Sequence, residues 1–149
     1  MAAQDNLVRK PIYIPATQPE EELSLRVAAY CRVSSDSDDQ LNSFAAQQSH
    51  YYDFIHSHDH WELADIYADE GITGTAAAKR DDFQRMLSDC RKGRIDKILV
   101  KSVSRFARNT VDTLNTIRQL KAANVEVFFE KENIYSFDGR GEVMLTKMS

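Results

Sequence analysis

The residues best suited to chemistry in this sequence are one serine and three arginines. Ser34 and Arg32 follow a short apolar segment, and Arg105 and Arg108 lie in a second polar segment. A serine between a strand and a helix start can attack phosphate, because the helix end offers backbone N–H groups to an anion. Arginine suits the same chemistry, since its guanidinium stays charged and donates paired hydrogen bonds to phosphate oxygens. The pattern favours phosphoryl transfer, in which fixed positive charge stabilises the transition state.

Each of these residues also has a simpler structural explanation. A lone serine at the position of Ser34 is more often a helix N-cap than a nucleophile. Arg105 and Arg108 are three residues apart, so in a helix they would share one face and form a solvated basic surface. Cations are unfavourable at a helix N-terminus, however, so two arginines there favour an anionic ligand. Three arginines near one serine favour the chemical interpretation.

The elements that must position these residues alternate between strands and helices. Apolar and β-branched segments predict strands at 25–30, 61–67, 95–100 and 125–129. Helical spacing of apolar residues predicts helices over about 39–58, 82–90 and 109–122. Gly93 is placed to end the second helix, and turn residues predict a loop over 69–75. This order predicts an α/β fold around a central, mostly parallel sheet of four to five strands.

A parallel sheet would bring the candidate residues to one edge. Sites in such sheets lie at the carboxyl ends of the strands. The loop 32–35 follows the first strand and the loop 101–108 follows the third, so both fall at that edge. Cys31 precedes Arg32, and alternation along a strand turns its side chain to the opposite face, into the core.

The distribution of charged residues along the sequence bears on whether the protein binds nucleic acid. The net charge of −4 alone disfavours a nucleic-acid ligand. Residues 33–70 contain nine acids and no lysine or arginine, whereas residues 91–108 contain seven bases and one acid. This separation predicts a polarised surface that the net charge conceals. There is no apolar run of about 18 residues, so no membrane span is predicted, and two cysteines without metal-ligand spacing fit a reducing cytoplasm.

The four histidines, at positions 50, 56, 58 and 60, are interpreted as the end of an exposed helix. Imidazoles are favourable near a helix C-terminus. His56 and His60 have a spacing that could chelate a metal, but the helix end is the preferred interpretation. Neither a metal nor a cofactor is predicted.

Four segments of the sequence resemble the serine recombinases, in the order that family has them. The nucleophile motif is matched by residues 30–35 (YCRVSS) and the second active-site motif by residues 102–109 (SVSRFARN). Residues 69–75 (DEGITGT) and 80–87 (RDDFQRML) resemble segments of the large recombinases and transposases. The chain is therefore similar to the N-terminal catalytic domain of that branch, from about Leu25 onwards.

The resemblance implies a three-layer resolvase-like sandwich and specific residue roles. Ser34 would be the nucleophile that forms a covalent 5′-phosphoserine with DNA. Three arginines would surround the scissile phosphate, namely Arg32, Arg105 and Arg108. Phosphate or DNA binding is further assigned to Gln47, Arg80 and Lys101. Ser104 stands where the small resolvases have an aspartate, so no carboxylate acts there, and the large branch often tolerates serine.

The resemblance also implies partners and a division of the chain. Double-stranded DNA would be the substrate, cut and rejoined by homo-oligomers that are dimers and form tetramers in synapsis. Residues 1–24 would be a flexible extension, 25–140 the catalytic domain and 141–149 the truncated start of a long helix. Two alternatives stay open. One is a catalytically incompetent regulatory or dimerisation module of the same fold, and the other is a flavodoxin-like phosphate-binding protein.

Overall fold

A computed structural model describes residues 23–34, 43–71, 80–107 and 109–147 of the chain. These residues form strands β1 (Leu25–Ser34), β2 (Trp61–Gly71), β3 (Lys97–Val100), β4 (Glu126–Phe129) and β5 (Ile134–Tyr135). They also form helices α1 (Phe44–His56), α2 (Asp81–Arg91), α3 (Val103–Phe106), α4 (Thr110–Ala122) and α5 (Gly141–Lys147). None of these helices is long and apolar enough to cross a lipid bilayer.

The five strands form one sheet in the order β2-β1-β3-β4-β5. Strands β1 to β4 run parallel, and only β5 is antiparallel to its neighbour β4. Helix α1 packs on one face of the sheet, and helices α2, α4 and α5 contribute to the core on the other. The predicted α/β sandwich with a mostly parallel sheet is confirmed. Strand β5 was not located in the sequence, because two residues carry no readable period.

Alternation along β1 divides the core into two layers. Ala28 and Tyr30 face the layer of α2 and α4, whereas Val27, Ala29 and Cys31 face α1. Cys31 is 1% exposed, so its predicted position in the core is confirmed. Burial raises the pKa of the Cys31 thiol to about 12, which leaves the thiol protonated and unreactive.

Several element boundaries differ from the predictions. Strand β1 extends to Ser34, and β2 continues through Asp69–Gly71, where a loop was predicted. The loop prediction was wrong there, because β2 pairs with β1 as far as Ser34 and Gly71, and this pairing overrides local turn preference. Helix α1 begins later than predicted, since Ser43 is extended and its side chain accepts from the backbone N–H of Ala46. Gly93 adopts a φ of +76° after α2, as a helix-ending glycine does.

An ion pair fixes the amino ends of β1 and β3 relative to each other. Arg26 donates from Nε and Nη2 to the two carboxylate oxygens of Asp96, both at 3.1 Å. The backbone N–H of Arg26 also donates to Asp96 Oδ2 at 2.8 Å. The hydrogen bonds from Arg26 hold the pKa of the Asp96 carboxyl below its ordinary value of 3.8. The carboxyl is therefore charged in the folded protein at neutral pH, and its charge stabilises the fold there.

Replacing Asp96 by asparagine is expected to lower the free energy of unfolding at pH 7 by about 1 kcal/mol, a figure discounted for the partial exposure of both side chains. Because folding lowers the pKa, this stabilisation is present above pH 3.8 and disappears as the pH falls through the folded-state pKa. Urea unfolding of the wild type and Asp96→Asn from pH 7 to pH 3 measures the difference. If the difference in the free energy of unfolding between the two proteins stayed constant over that pH range, the proposed role of the Asp96 charge would be contradicted.

Candidate active site

The predicted site residues lie at or just beyond the carboxyl ends of the parallel strands. Arg32 and Ser34 end β1, Lys101 follows β3, and α3 with Arg105 comes next in the chain. Ser34 is described only through its backbone, which pairs in register with Gly71. The Ser34 side chain and the whole of Arg108 lie outside the described residues, so their place in the site stays a prediction.

The main-chain carbonyl of Arg32 joins three predicted site residues. It accepts a hydrogen bond from Gln47 Nε2 at 3.1 Å and another from Arg105 Nη1 at 2.9 Å. A carbonyl oxygen has two lone pairs, so both of its acceptor positions are used. Gln47 approaches from α1 and Arg105 from α3, and Gln47 is 7% exposed. The backbone two residues before Ser34 is therefore held from two directions.

The side chain of Arg32 lies against Gly71 on the neighbouring strand. A β-carbon at position 71 would come within 3.3 Å of Arg32 Nη2 and 3.4 Å of Nε. Such approaches are tighter than ordinary van der Waals contact, so a side chain at 71 would displace the guanidinium. Gly74 is the second glycine of the segment at residues 69–75 (DEGITGT), and it lies outside the described residues. Gly71 thus provides the room in which the Arg32 guanidinium lies.

Arg80 supports the helix that carries Arg105. Its Nη2 donates to the carbonyl oxygen of Phe106 at 2.6 Å and approaches that of Arg105 at 3.4 Å. The guanidinium carbon also lies 3.7 Å from the ring centroid of Phe83, a close cation–π contact. A cation at a helix C-terminus offsets the unpaired carbonyls there. The structure thus places Arg80 on the backbone of α3, and its predicted contact with phosphate stays a prediction.

One position in this region departs from the geometry that the sequence suggested. Helix α3 ends at Phe106, Ala107 is extended with φ −148° and ψ 164°, and α4 begins at Thr110. The helix that carries Arg105 therefore ends before position 108, so the condition under which the two arginines would share one helix face is not met. The side chain of Asn109 accepts from the backbone N–H of Asp112 at 2.9 Å and so starts a separate helix.

Asp69 is a buried residue of the site that sequence reasoning did not single out. It accepts from Tyr30 Oη at 2.8 Å and from the backbone N–H groups of Asp82 and Phe83 at 3.0 Å. It therefore caps α2 from β2, which is needed because Arg80 at the N-cap position makes no side-chain cap. Burial raises the pKa of Tyr30 to about 12, so this hydroxyl keeps the proton it donates. The sequence feature that could have drawn attention to Asp69 is its place as the first residue of the segment at 69–75 (DEGITGT).

Glu130 is a second residue that the sequence did not reveal. It follows β4, and its Oε1 accepts from Tyr51 Oη at 2.7 Å while its Oε2 lies 3.0 Å from His50 Nε2. Tyr51 and His50 belong to α1, the helix that also carries Gln47. Glu130 therefore ties α1 to the sheet edge and so fixes the helix from which Gln47 reaches Arg32. No periodicity or motif in the sequence distinguished Glu130 from its charged neighbours Lys131 and Glu132.

The histidines lie away from this network, apart from His50. The ring Nδ1 of His56 and of His58 bonds to the main-chain oxygens of Tyr52 and Phe54, at 2.8 Å and 2.9 Å. They thus satisfy carbonyls near the C-terminus of α1. Among the residues that the structure describes, no three His, Cys, Asp or Glu side chains are grouped so that they could hold a metal ion.

Comparison with known proteins agrees with this fold. The family described as "Resolvase, N terminal domain" matches residues 27–149. The chain therefore belongs to the resolvase family of serine recombinases, whose N-terminal catalytic domain it represents. Among curated proteins, none matches the chain significantly.

Three solved structures illustrate the similarity. A resolvase family site-specific recombinase from Streptococcus pneumoniae is 30% identical with a TM-score of 0.69, over 84% of this chain and 85% of that one. The N-terminal catalytic domain of TP901-1 integrase is 24% identical with a TM-score of 0.68, over 83% of this chain and 90% of that one. The C-terminal catalytic domain of ISC1926 TnpA, an IS607-like serine recombinase, is 13% identical with a TM-score of 0.58, over 71% and 69% of the two chains. The last two show the shared fold alone.

Replacing Tyr51 by phenylalanine is expected to lower the free energy of unfolding by about 2 kcal/mol, because it removes a buried hydrogen bond to a charged carboxylate. Tyr51 is 2% exposed, so water does not replace the lost donor readily. Urea unfolding of the purified variants measures the change. Tyr52→Phe is the matched control, since Tyr52 is the next residue and is 50% exposed. Equal losses in the two variants would show that the Tyr51–Glu130 bond does not secure α1.

Proposed function

We propose that this domain breaks and rejoins double-stranded DNA through a covalent bond to Ser34. The observation that carries the proposal is the hydrogen bond from the Arg105 guanidinium to the main-chain oxygen of Arg32, which holds Arg105 at the end of β1, two residues before Ser34. Membership of the serine recombinases supports the same chemistry. The proposed substrate is a DNA phosphodiester, and the proposed assembly is a homodimer that forms a tetramer when two duplexes are brought together.

The proposed reaction conserves the number of phosphodiester bonds. The oxygen of Ser34 bonds to phosphorus as the bond from phosphorus to the deoxyribose 3′ oxygen breaks. The serine hydroxyl loses a proton and the departing 3′ oxygen gains one, which leaves a 5′-phosphoserine and a free 3′-hydroxyl. Attack by the 3′-hydroxyl of a new partner strand reverses the step and releases the serine. Because the covalent link retains the bond energy, rejoining requires no ATP.

The charges at this edge suit that transition state. Within the described part of the chain, neither Arg32 nor Arg105 lies within ion-pair distance of a carboxylate, whereas Arg26, Arg85, Arg94 and Arg118 all do. A guanidinium carries five N–H groups, so the bond from Arg105 to the Arg32 carbonyl leaves donors for a phosphate. We assign Arg32, Arg105 and Arg108 to the non-bridging oxygens, where negative charge grows. We assign Gln47 and Arg80 to positioning these groups, and Lys101 to DNA outside the reacting bond.

Replacing Ser34 by alanine is expected to abolish the covalent adduct with DNA while leaving the unfolding transition unchanged, because only the nucleophilic oxygen is removed. End-labelled duplex DNA of random sequence is incubated with the chain and stopped with detergent. A protease-sensitive band on a denaturing gel reports the adduct. Mass spectrometry of the digested band identifies the modified peptide.

Ser88→Ala is the matched control for this experiment. Ser88 lies in the second half of α2, beyond the first turn that contacts Asp69 and Arg80, and its variant should form adduct as the wild type does. An adduct of normal yield from Ser34→Ala would remove Ser34 from the mechanism. No adduct from the wild type, with folding intact, would favour the incompetent regulatory module instead.

Replacing Gly71 by alanine is expected to slow adduct formation roughly tenfold, because the new methyl group displaces the Arg32 guanidinium by a few tenths of an ångström. Stability should change by less than about 1 kcal/mol. Initial rates of adduct formation measure the effect. Gly139→Ala is the control, since a β-carbon there meets no atom within 4 Å. Equal rates for both variants would mean that the position of Arg32 does not limit the reaction.

A further inference from the structure

A groove of about 570 Å³ extends from the candidate site across the carboxyl ends of β3 and β4. Its walls include Gln47, His50 and Tyr51 from α1 and Lys101, Glu130 and Lys131 from the sheet edge. The volume lies within the range of about 300–1,000 Å³ that is typical of ligand sites. The proposed reaction at Ser34 does not itself use this groove.

Gln47 makes the groove continuous with the candidate site. Its side chain lines the groove, and its Nε2 donates to the main-chain oxygen of Arg32. The groove therefore opens beside the end of β1, two residues before Ser34.

Two adjacent lysines give the groove its charge. The backbone N–H of Lys131 donates to the carbonyl oxygen of Lys101 at 2.8 Å, so these residues are neighbours just beyond the ends of the adjoining strands β3 and β4. Both side chains are exposed, and within the described residues neither forms an ion pair. Lys97, by contrast, pairs with Glu126 at 3.1 Å. Like charges side by side repel each other, and an anion bound between them removes that repulsion.

The carboxylate in the groove does not cancel these charges. Glu130 Oε1 accepts from Tyr51 and its Oε2 contacts His50, so both oxygens are engaged by α1. The Glu130 side chain is 22% exposed. Within the described residues Glu130 forms no ion pair with either lysine, so the groove carries two ammonium groups against one carboxylate.

We infer that this groove binds a backbone phosphate of the DNA strand next to the scissile phosphodiester, through Lys101 and Lys131. The inference rests on the proposed function, because it takes the same DNA strand as the ligand of both sites. Lysine ammonium groups recognise the charge of a phosphate and no particular base, so the contact positions DNA without selecting its sequence.

The salt dependence of DNA binding tests this inference. A fluorescently labelled duplex of random sequence is titrated with the whole chain between about 50 and 200 mM salt. In the double variant Lys101→Gln with Lys131→Gln, the slope of log K against log salt should become shallower by about 0.9, since one phosphate contact is lost. Restoring the charges as Lys101→Arg with Lys131→Arg should restore the slope.

The matched control is the double variant Lys92→Gln with Lys121→Gln. It removes the same charge from exposed residues at the ends of α2 and α4 and should leave the slope unchanged. An unchanged slope in the groove variant, or equal changes in both double variants, overturns the inference. Saturable binding of inorganic phosphate, with no effect of the groove variant on DNA binding, assigns the groove to a free anion and also overturns it.

The adduct experiment separates this inference from the proposed function. If the wild type forms the Ser34 adduct but the groove variant keeps the wild-type slope, only the groove inference fails. If no adduct forms but the slope becomes shallower, the groove binds DNA and the proposed chemistry fails.

Discussion

The carbonyl oxygen of Arg32 is the point at which both helical layers meet the carboxyl edge of the sheet. Gln47 reaches it from α1 on one face, and Arg105 reaches it from α3 at the end of β3. Hydrogen bonds that satisfy a buried carbonyl in two directions leave the backbone little freedom. Since β1 ends two residues later, this constraint fixes where the proposed nucleophile leaves the sheet.

Three further interactions keep the donors to that oxygen in place, and each connects elements far apart in the chain. Asp69 joins β2 to the start of α2, Arg80 joins that start to the end of α3, and Glu130 joins β4 to α1. Each uses a charged or hydrogen-bonding side chain to satisfy backbone groups or a hydroxyl that would be costly to leave unpaired. Positioning of the site is therefore shared among the helices rather than assigned to one loop.

The described arginines differ in whether a carboxylate lies within ion-pair distance of the guanidinium. Arg26 near the amino end of the strands is bonded to Asp96, whereas Arg32 and Arg105 at the carboxyl end have no described carboxylate partner. Unpaired, partly buried guanidinium groups are poorly compensated by solvent, so an anion stabilises the arrangement. A chain whose net charge is −4 can carry these two arginines without a described carboxylate partner, because the net charge does not report how the charges are distributed.

The sequence by itself determined the alternation of strands and helices, the parallel sheet and the family, since these depend on periodicity and on short contiguous motifs such as residues 30–35. It also drew attention to Arg32, Gln47 and Arg105 through those motifs. It did not reveal that β2 runs through Gly71, that α3 and α4 are separate helices, or that Asp69 and Glu130 hold the site. The division between α3 and α4 is set locally, by the extended Ala107 and the Asn109 cap. The extension of β2 depends on its pairing with β1, and the roles of Asp69 and Glu130 depend on hydrogen bonds between residues 13 to 79 positions apart, so only the folded chain brings these groups within reach.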